Sequence, residues 1–156
     1  YLDVATRRPV PADYHWAYVP ELRYPFFRVG VSSNAVASMA PAGCSSLYVE
    51  LSDRTGAIDV PGVLQALVEV GALAGVDDVL FTEEREIEYA YVVFDDDHAA
   101  ATRTIFAWLA QVGIHSCGRY GAWVYNSMED SVIQGREAAA WATAWSEGQV
   151  AKDMSR

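Results

Sequence analysis

The residues best placed to do chemistry lie between Gly118 and Ser131, in the stretch GRYGAWVYNSMEDS. Two glycines three apart, Gly118 and Gly121, bracket Arg119 and Tyr120 directly after a short apolar run from Ile114 to Cys117. Glycine lets a backbone take φ > 0 or approach another group closely. Ser127, Met128, Glu129 and Asp130 form an [ST]-x-x-[DE] box, which opens a helix expected to run to about Trp145. Free N–H groups at such an opening favour an anion or a polarised carbonyl. Strand, glycine turn and helix start together suggest a cofactor cradle, and the same spacing also suits a plain strand-to-helix connection with a good cap.

Several elements must hold that stretch in place. Tyr1–Thr6, Tyr14–Val19, Phe26–Val31 and Ser45–Ser52 read as strands from their alternation and their aromatic and β-branched content. Their links suit an antiparallel meander with one face covered. Arg7–Asp13, with Pro9 and Pro11, is a connection. Ser32–Cys44 reads as a long loop, which favours a functional or interfacial role. Asp59 is the expected N-cap of a helix over 61–74, with Pro61 in its first turn and Gly75 closing it. A long strand is expected over Glu84–Phe94, with Ile87, Tyr89, Tyr91 and Val93 on one face. Asp95, Asp96 and Asp97 then cap a helix over 98–112 whose apolar stripe is Ile105, Trp108, Leu109 and Val112, with Gly113 at its end. The expected class is α+β: a mixed, largely antiparallel sheet of five to six strands with these two helices on one face.

At 156 residues the chain suits one domain with a real core, and 52% hydrophobic residues argue against disorder. A net charge of −10 excludes a nucleic-acid groove, which needs clustered Lys and Arg. Cys44 and Cys117 have no zinc spacing and fit a reduced, cytoplasmic setting. No secretory signal or membrane-length apolar run occurs. The abrupt start at Tyr1, with no cap or polar tail, is what a cut inside a larger protein would leave, and Glu147–Arg156 reads as a fraying tail.

The segment GRYGAWVYNSMEDSVIQGREAA resembles the C-terminal flavin-contacting segment of the FAD-dependent amine oxidase superfamily, which includes protoporphyrinogen oxidases, phytoene desaturases and UDP-galactopyranose mutases. Upstream, HWAYVPELRYPFFRVGVSSNAVASMAPAGCSSLYVE is similar to the substrate-domain block of the same proteins. The G-x-G-x-x-G that cradles the FAD pyrophosphate in such enzymes is missing here. The resemblance therefore implies the C-terminal portion of an FAD-dependent oxidoreductase acting on an organic small-molecule substrate. On that reading 1–117 is a substrate-binding-like part, 118–146 completes the FAD-binding domain, 147–156 is tail, and the main partner is the N-terminal FAD-binding half. The alternatives are a UDP-galactopyranose mutase-like isomerase and a non-enzymatic binding or interaction domain.

For individual residues, the resemblance implies flavin contact by Gly118, Arg119, Tyr120, Gly121, Ser127, Met128 and Glu129. The helix dipole at Ser127–Asp130 would stabilise charge that develops at the flavin N1 on reduction. Arg28, Asn34, Trp123 and Tyr125 are substrate-side candidates, and no catalytic residue is nominated. Gly135, Ala138, Ala139 and Ala142 would let the last helix approach the dinucleotide-binding half, or a second copy. The bland readings are a packed His15, a helix cap for Asp130, and capping rather than metal binding for Asp95–Asp97; no metal site is expected.

Overall fold

The computed structural model describes residues 1–52 and 57–153, with side chains as far as Glu147. It divides into two compact units, Tyr1–Ile87 and Glu88–Arg156. Among the described residues no helix is long and apolar enough to cross a membrane.

The first unit is an antiparallel sheet of β1 (Leu2–Thr6), β2 (Trp16–Tyr18), β3 (Arg28–Val31), β4 (Ser45–Glu50) and β5 (Val79–Glu84) in the order β2-β3-β4-β1-β5. The single-turn helix α1 (Ser32–Ala35) and a 3₁₀ turn at Ala37–Met39 occupy part of the expected long loop. Period-two alternation sorts the faces: Leu2, Val4, Thr6, Leu47, Val49, Val29 and Val31 are buried, while Asp3, Tyr48, Glu50 and Arg28 point the other way. Helix α2 (Val60–Glu69) covers the apolar face with Val63, Leu64, Ala66 and Leu67. A Val or Leu side chain contributes about 1.5–3 kcal/mol when fully buried.

The α+β architecture is as expected, with every strand pairing antiparallel. Two details differ. The first four strands are not a simple meander, because β1 lies between β4 and β5 and does not pair with β2. The fifth strand is Val79–Glu84 and not Glu84–Phe94. Residues 79–84 occupy the free edge of β1, and 85–94 follow an irregular path, with Tyr89, Tyr91, Val93 and Phe94 exposed. Alternation makes a strand only where a neighbouring edge is open to pair with it.

Asp59 caps α2 as its position predicts: its carboxylate accepts from the Gly62 N–H at 3.2 Å. The closing glycine is Gly71 rather than Gly75. At φ 73° it turns the chain so that the Ala72 N–H reaches the Leu67 carbonyl at 2.8 Å and the Gly71 N–H reaches Val68 at 3.0 Å. That is a Schellman motif, and its geometry ends the helix five residues early.

The second unit holds α3 (His98–Gln111), α4 (Gly118–Gly121) and α5 (Met128–Asp153). The expected tail is helical through Asp153, and 154–156 lie outside the described residues. Gly113, at φ 77°, ends α3 by the same motif, with the Ile114 N–H on Leu109 at 2.9 Å and its own N–H on Ala110 at 3.3 Å. Asp97 holds the N-cap position of α3 but makes no side-chain cap bond. The half-buried row of α3 is Thr102, Phe106 and Leu109, whereas Ile105, Trp108 and Val112 of the expected stripe face solvent. The half-buried row of α5 is Ser131, Gln134, Ala138 and Trp141.

Candidate functional site

Ile114–Cys117 forms neither helix nor strand, with Cys117 extended, and GRYG is a single helical turn, α4, rather than an open loop. Gly118 takes the left-handed conformation that its type predicts, φ 83°. Gly121 does not; the second left-handed residue is Trp123 at φ 52°. For a bulky L-residue that conformation costs about 1–2 kcal/mol. The Nε2 of His98 lies 2.8 Å from the Trp123 carbonyl. A carbonyl only accepts, so Nε2 carries the proton and the imidazole pins the strained peptide. The Trp123 ring meets Tyr89 edge-on at 6.3 Å and Tyr120 at a tilt, 6.4 Å.

Most polar groups of GRYG are engaged within the second unit. The Gly118 N–H donates to Gln134 Oε1 at 2.7 Å, and the Tyr120 hydroxyl donates to the Ala90 carbonyl at 3.1 Å. Ser116 Oγ donates to the Gly121 carbonyl at 2.8 Å. A Cβ at Gly121 would sit 3.0 Å from that same Oγ, so this glycine eases a close approach rather than a positive φ. Arg119 Nη2 donates to the Asn126 carbonyl at 2.7 Å, and the guanidinium lies over the Tyr125 ring at 5.2 Å. Arg119 therefore clamps the Tyr125–Asn126 segment from inside the fold.

The helix opening is the box that the sequence predicts. Ser127 Oγ accepts from the Asp130 N–H at 3.1 Å, while the Ser127 N–H donates back to Asp130 Oδ2 at 2.8 Å. The Ser127 N–H, and then the Ser127 hydroxyl, which also donates to Asp130 Oδ2 at 2.8 Å, hold the Asp130 carboxyl below the ordinary aspartate range. Asp130 is thus a cap, as expected. The first-turn N–H groups of Met128 and Glu129 lie outside the box, and Met128 is 89% exposed.

Between these fixed points lies Asn126, which the sequence reading passed over. It is 5% exposed, and neither its Oδ1 nor its Nδ2 has a hydrogen-bond partner. An unpaired buried amide costs about 1–3 kcal/mol. One sequence signal was available: the residue before an N-cap is commonly an apolar staple, and here it is Asn. Next to this segment, Val93, Asp95, Asp97, His98, Tyr120 and Trp123 border a concavity of about 330 Å³.

The substrate-side candidates of the first unit are held by their own neighbours. Arg28 pairs with Glu50 across β3 and β4 and lies 5.9 Å from the Tyr18 ring centre. Asn34 Nδ2 donates to the carbonyls of Ala12 and Tyr14, at 2.8 and 2.9 Å, and ties down the connection before β2. Ser33 Oγ accepts from the Ser46 N–H at 3.2 Å. His15, expected to be packed, has an exposed side chain. A concavity of about 460 Å³ in this unit is bordered by Arg23, Tyr24, Asp59, Gln65 and Glu69, and by none of the nominated residues. Among the described residues no three His, Cys, Asp or Glu side chains converge as metal ligands. Both cysteines are free.

No protein-family model matches the sequence, and no curated protein matches it. Among solved structures the fold is similar to that of a reduced UDP-galactopyranose mutase, with a TM-score of 0.71 and 24% identity. The likeness covers 88% of this chain and 31% of the mutase, so the chain spans under a third of that protein's length. At this identity the likeness establishes the fold.

Proposed function

We propose that the chain is the C-terminal portion of an FAD-dependent oxidoreductase, in which 1–117 forms the substrate-binding part and 118–146 completes the flavin site. The fold likeness to a UDP-galactopyranose mutase over 88% of the chain is the observation that carries this reading, since those mutases are among the flavoproteins the sequence resembles. The flavin-contacting segment also has a fitting donor set: the orphaned amide of Asn126 and the first-turn N–H groups of Met128 and Glu129. FAD would supply the redox chemistry. Gly118, Arg119, Tyr120 and Gly121 form the frame, because their polar groups hold the 116–126 backbone in one shape. Ser127 fixes the start of α5, whose dipole favours negative charge beside it. Trp123 and Tyr125 offer aromatic surface, and Arg28 and Asn34 stiffen the substrate-side sheet. Gly135, Ala139 and Ala142 leave an exposed, small-residue row on α5 for the dinucleotide-binding half. The sugar-nucleotide isomerase alternative calls for arginines turned to a diphosphate, whereas Arg28 pairs with Glu50, which favours the redox reading.

The test is to isolate the protein from its native source with an antibody to this chain and analyse bound flavin. A longer polypeptide that releases FAD on denaturation is the expected result, while the isolated chain fails to hold FAD at submicromolar concentration. A flavin-free native protein, or tight FAD binding by the chain alone, overturns the proposal.

A further inference from the structure

We propose that the side-chain amide of Asn126 is a flavin-recognition group that pairs with the imide edge of the isoalloxazine ring, a role that rests on the flavoprotein reading above. A primary amide presents an acceptor and a donor side by side, and both are unpartnered here on a side chain that is 95% buried by its 5% exposure. The complement of such a pair is a ring edge with an N–H next to a carbonyl. On an isoalloxazine, N3–H donates to Oδ1 while a flanking carbonyl accepts from Nδ2.

Burial of both atoms would be a defect in an ordinary fold, since buried polar groups are almost always paired. The surroundings argue for design rather than slack. Arg119 holds the Asn126 carbonyl from one side, and the Ser127–Asp130 box fixes the next residue from the other. The amide is therefore held on a backbone that cannot easily turn to find a partner, which is how a preorganised recognition group is built. The adjoining helix N-terminus adds positive potential beside the same ring edge. The amide is closed to solvent in this conformation, so a ligand reaches it only when a covering side chain moves.

The test uses the whole chain, labelled with ¹⁵N, and riboflavin 5′-phosphate at millimolar concentration as the probe, with its N3-methyl derivative as comparison. The expected result is movement of the Asn126 side-chain NH₂ resonances with the parent flavin and at least tenfold weaker binding of the N3-methyl form. Asn126→Leu removes the orphan, so it should melt no lower than the parent chain and lose the flavin response. A flavin response that spares Asn126, or equal binding of the two flavins, overturns this assignment and leaves the flavoprotein reading standing. No response anywhere in the spectrum also overturns the assignment, while the flavoprotein reading is decided separately by the flavin content of the native protein. A marked fall in melting temperature for Asn126→Leu shows that the amide is satisfied within the fold and overturns the assignment alone.

Discussion

At the centre of the first unit Leu2, Val4, Val29, Val31, Leu47, Val49, Val63 and Leu67 are withdrawn from solvent, with α2 laid over one face of the sheet. Among the described residues the second unit buries one apolar side chain, Val92, and one amide, Asn126. Its helices rest on half-buried rows and on directed contacts instead: His98 to Trp123, Arg119 to Asn126, Gly118 to Gln134, and the rings of His115, Trp141 and Trp145 stacked at 5.2 and 5.4 Å. A covered sheet face supplies the first unit with non-directional stabilisation that tolerates small shifts. The second unit depends more on hydrogen bonds that hold only in one geometry. Segments with few buried apolar contacts sit at the low end of local stability, and binding surfaces are commonly drawn from that end.

The largest effect expected from that contrast follows from emptying the first core. Leu47→Ala removes a wholly buried side chain and should cost about 2–5 kcal/mol in urea unfolding. A cost below 1 kcal/mol, on the order of a surface change, would break the contrast.

Next come the two helix-ending glycines, which share one motif and differ in their surroundings. Gly71→Ala meets nothing within 4 Å and should cost only the left-handed penalty, about 1–2 kcal/mol. Gly113→Ala carries the same penalty and also sets a methyl 2.9 Å from the Trp145 ring. Its variant should therefore show the larger loss of helix by circular dichroism. Equal losses would mean that Trp145 yields freely.

Trp108→Ala, on the exposed side of α3, should change stability by no more than about 0.5 kcal/mol despite the size of the ring. A loss comparable with Leu47→Ala would show that this face is covered.

The smallest effect is tied to pH. The Asp130 carboxyl is held below its unfolded range near 3.8, so its cap is fully present above that value. The contribution is lost as pH falls through the lower folded value. Helix content followed by circular dichroism should thus decline in strong acid, and Asp130→Asn should flatten that limb without altering the neutral-pH signal much. An unchanged acid limb in the variant would dissociate the cap from the titration.

What the sequence revealed depended on how local each determinant is. The caps at Asp59 and Ser127 were legible because a cap involves four consecutive residues. The alternation in β1, β3 and β4 was equally legible, since one covered face dictates it. The fifth strand was misplaced because residues 79–84 and 85–94 compete for one edge of β1, and no local pattern announces the winner. The face of α3 was misassigned for a related reason: Ile105, Trp108 and Val112 form a good stripe, but the packed row is Thr102, Phe106 and Leu109. Gly71 displaced Gly75 as the helix end because either glycine suits the role and only the hydrogen bonds to Leu67 and Val68 decide. In the site, residue types pointed to Gly118 and Ser127, whereas the left-handed Trp123 and the orphaned Asn126 are products of tertiary constraint.

The position of β1 carries a consequence for the order in which the chain can fold. Its partners are β4 and β5, which begin at Ser45 and Val79, so the first strand emerges from synthesis long before either edge exists to receive it. Closing such long loops delays pairing, whereas the helices of the second unit are built from contacts within a few residues. Within this chain, Leu2 and Val4 find their pairing strands only when the sheet is nearly complete. Shielding of the nascent β1, more than the stability of the finished sheet, would then limit the yield of folded protein.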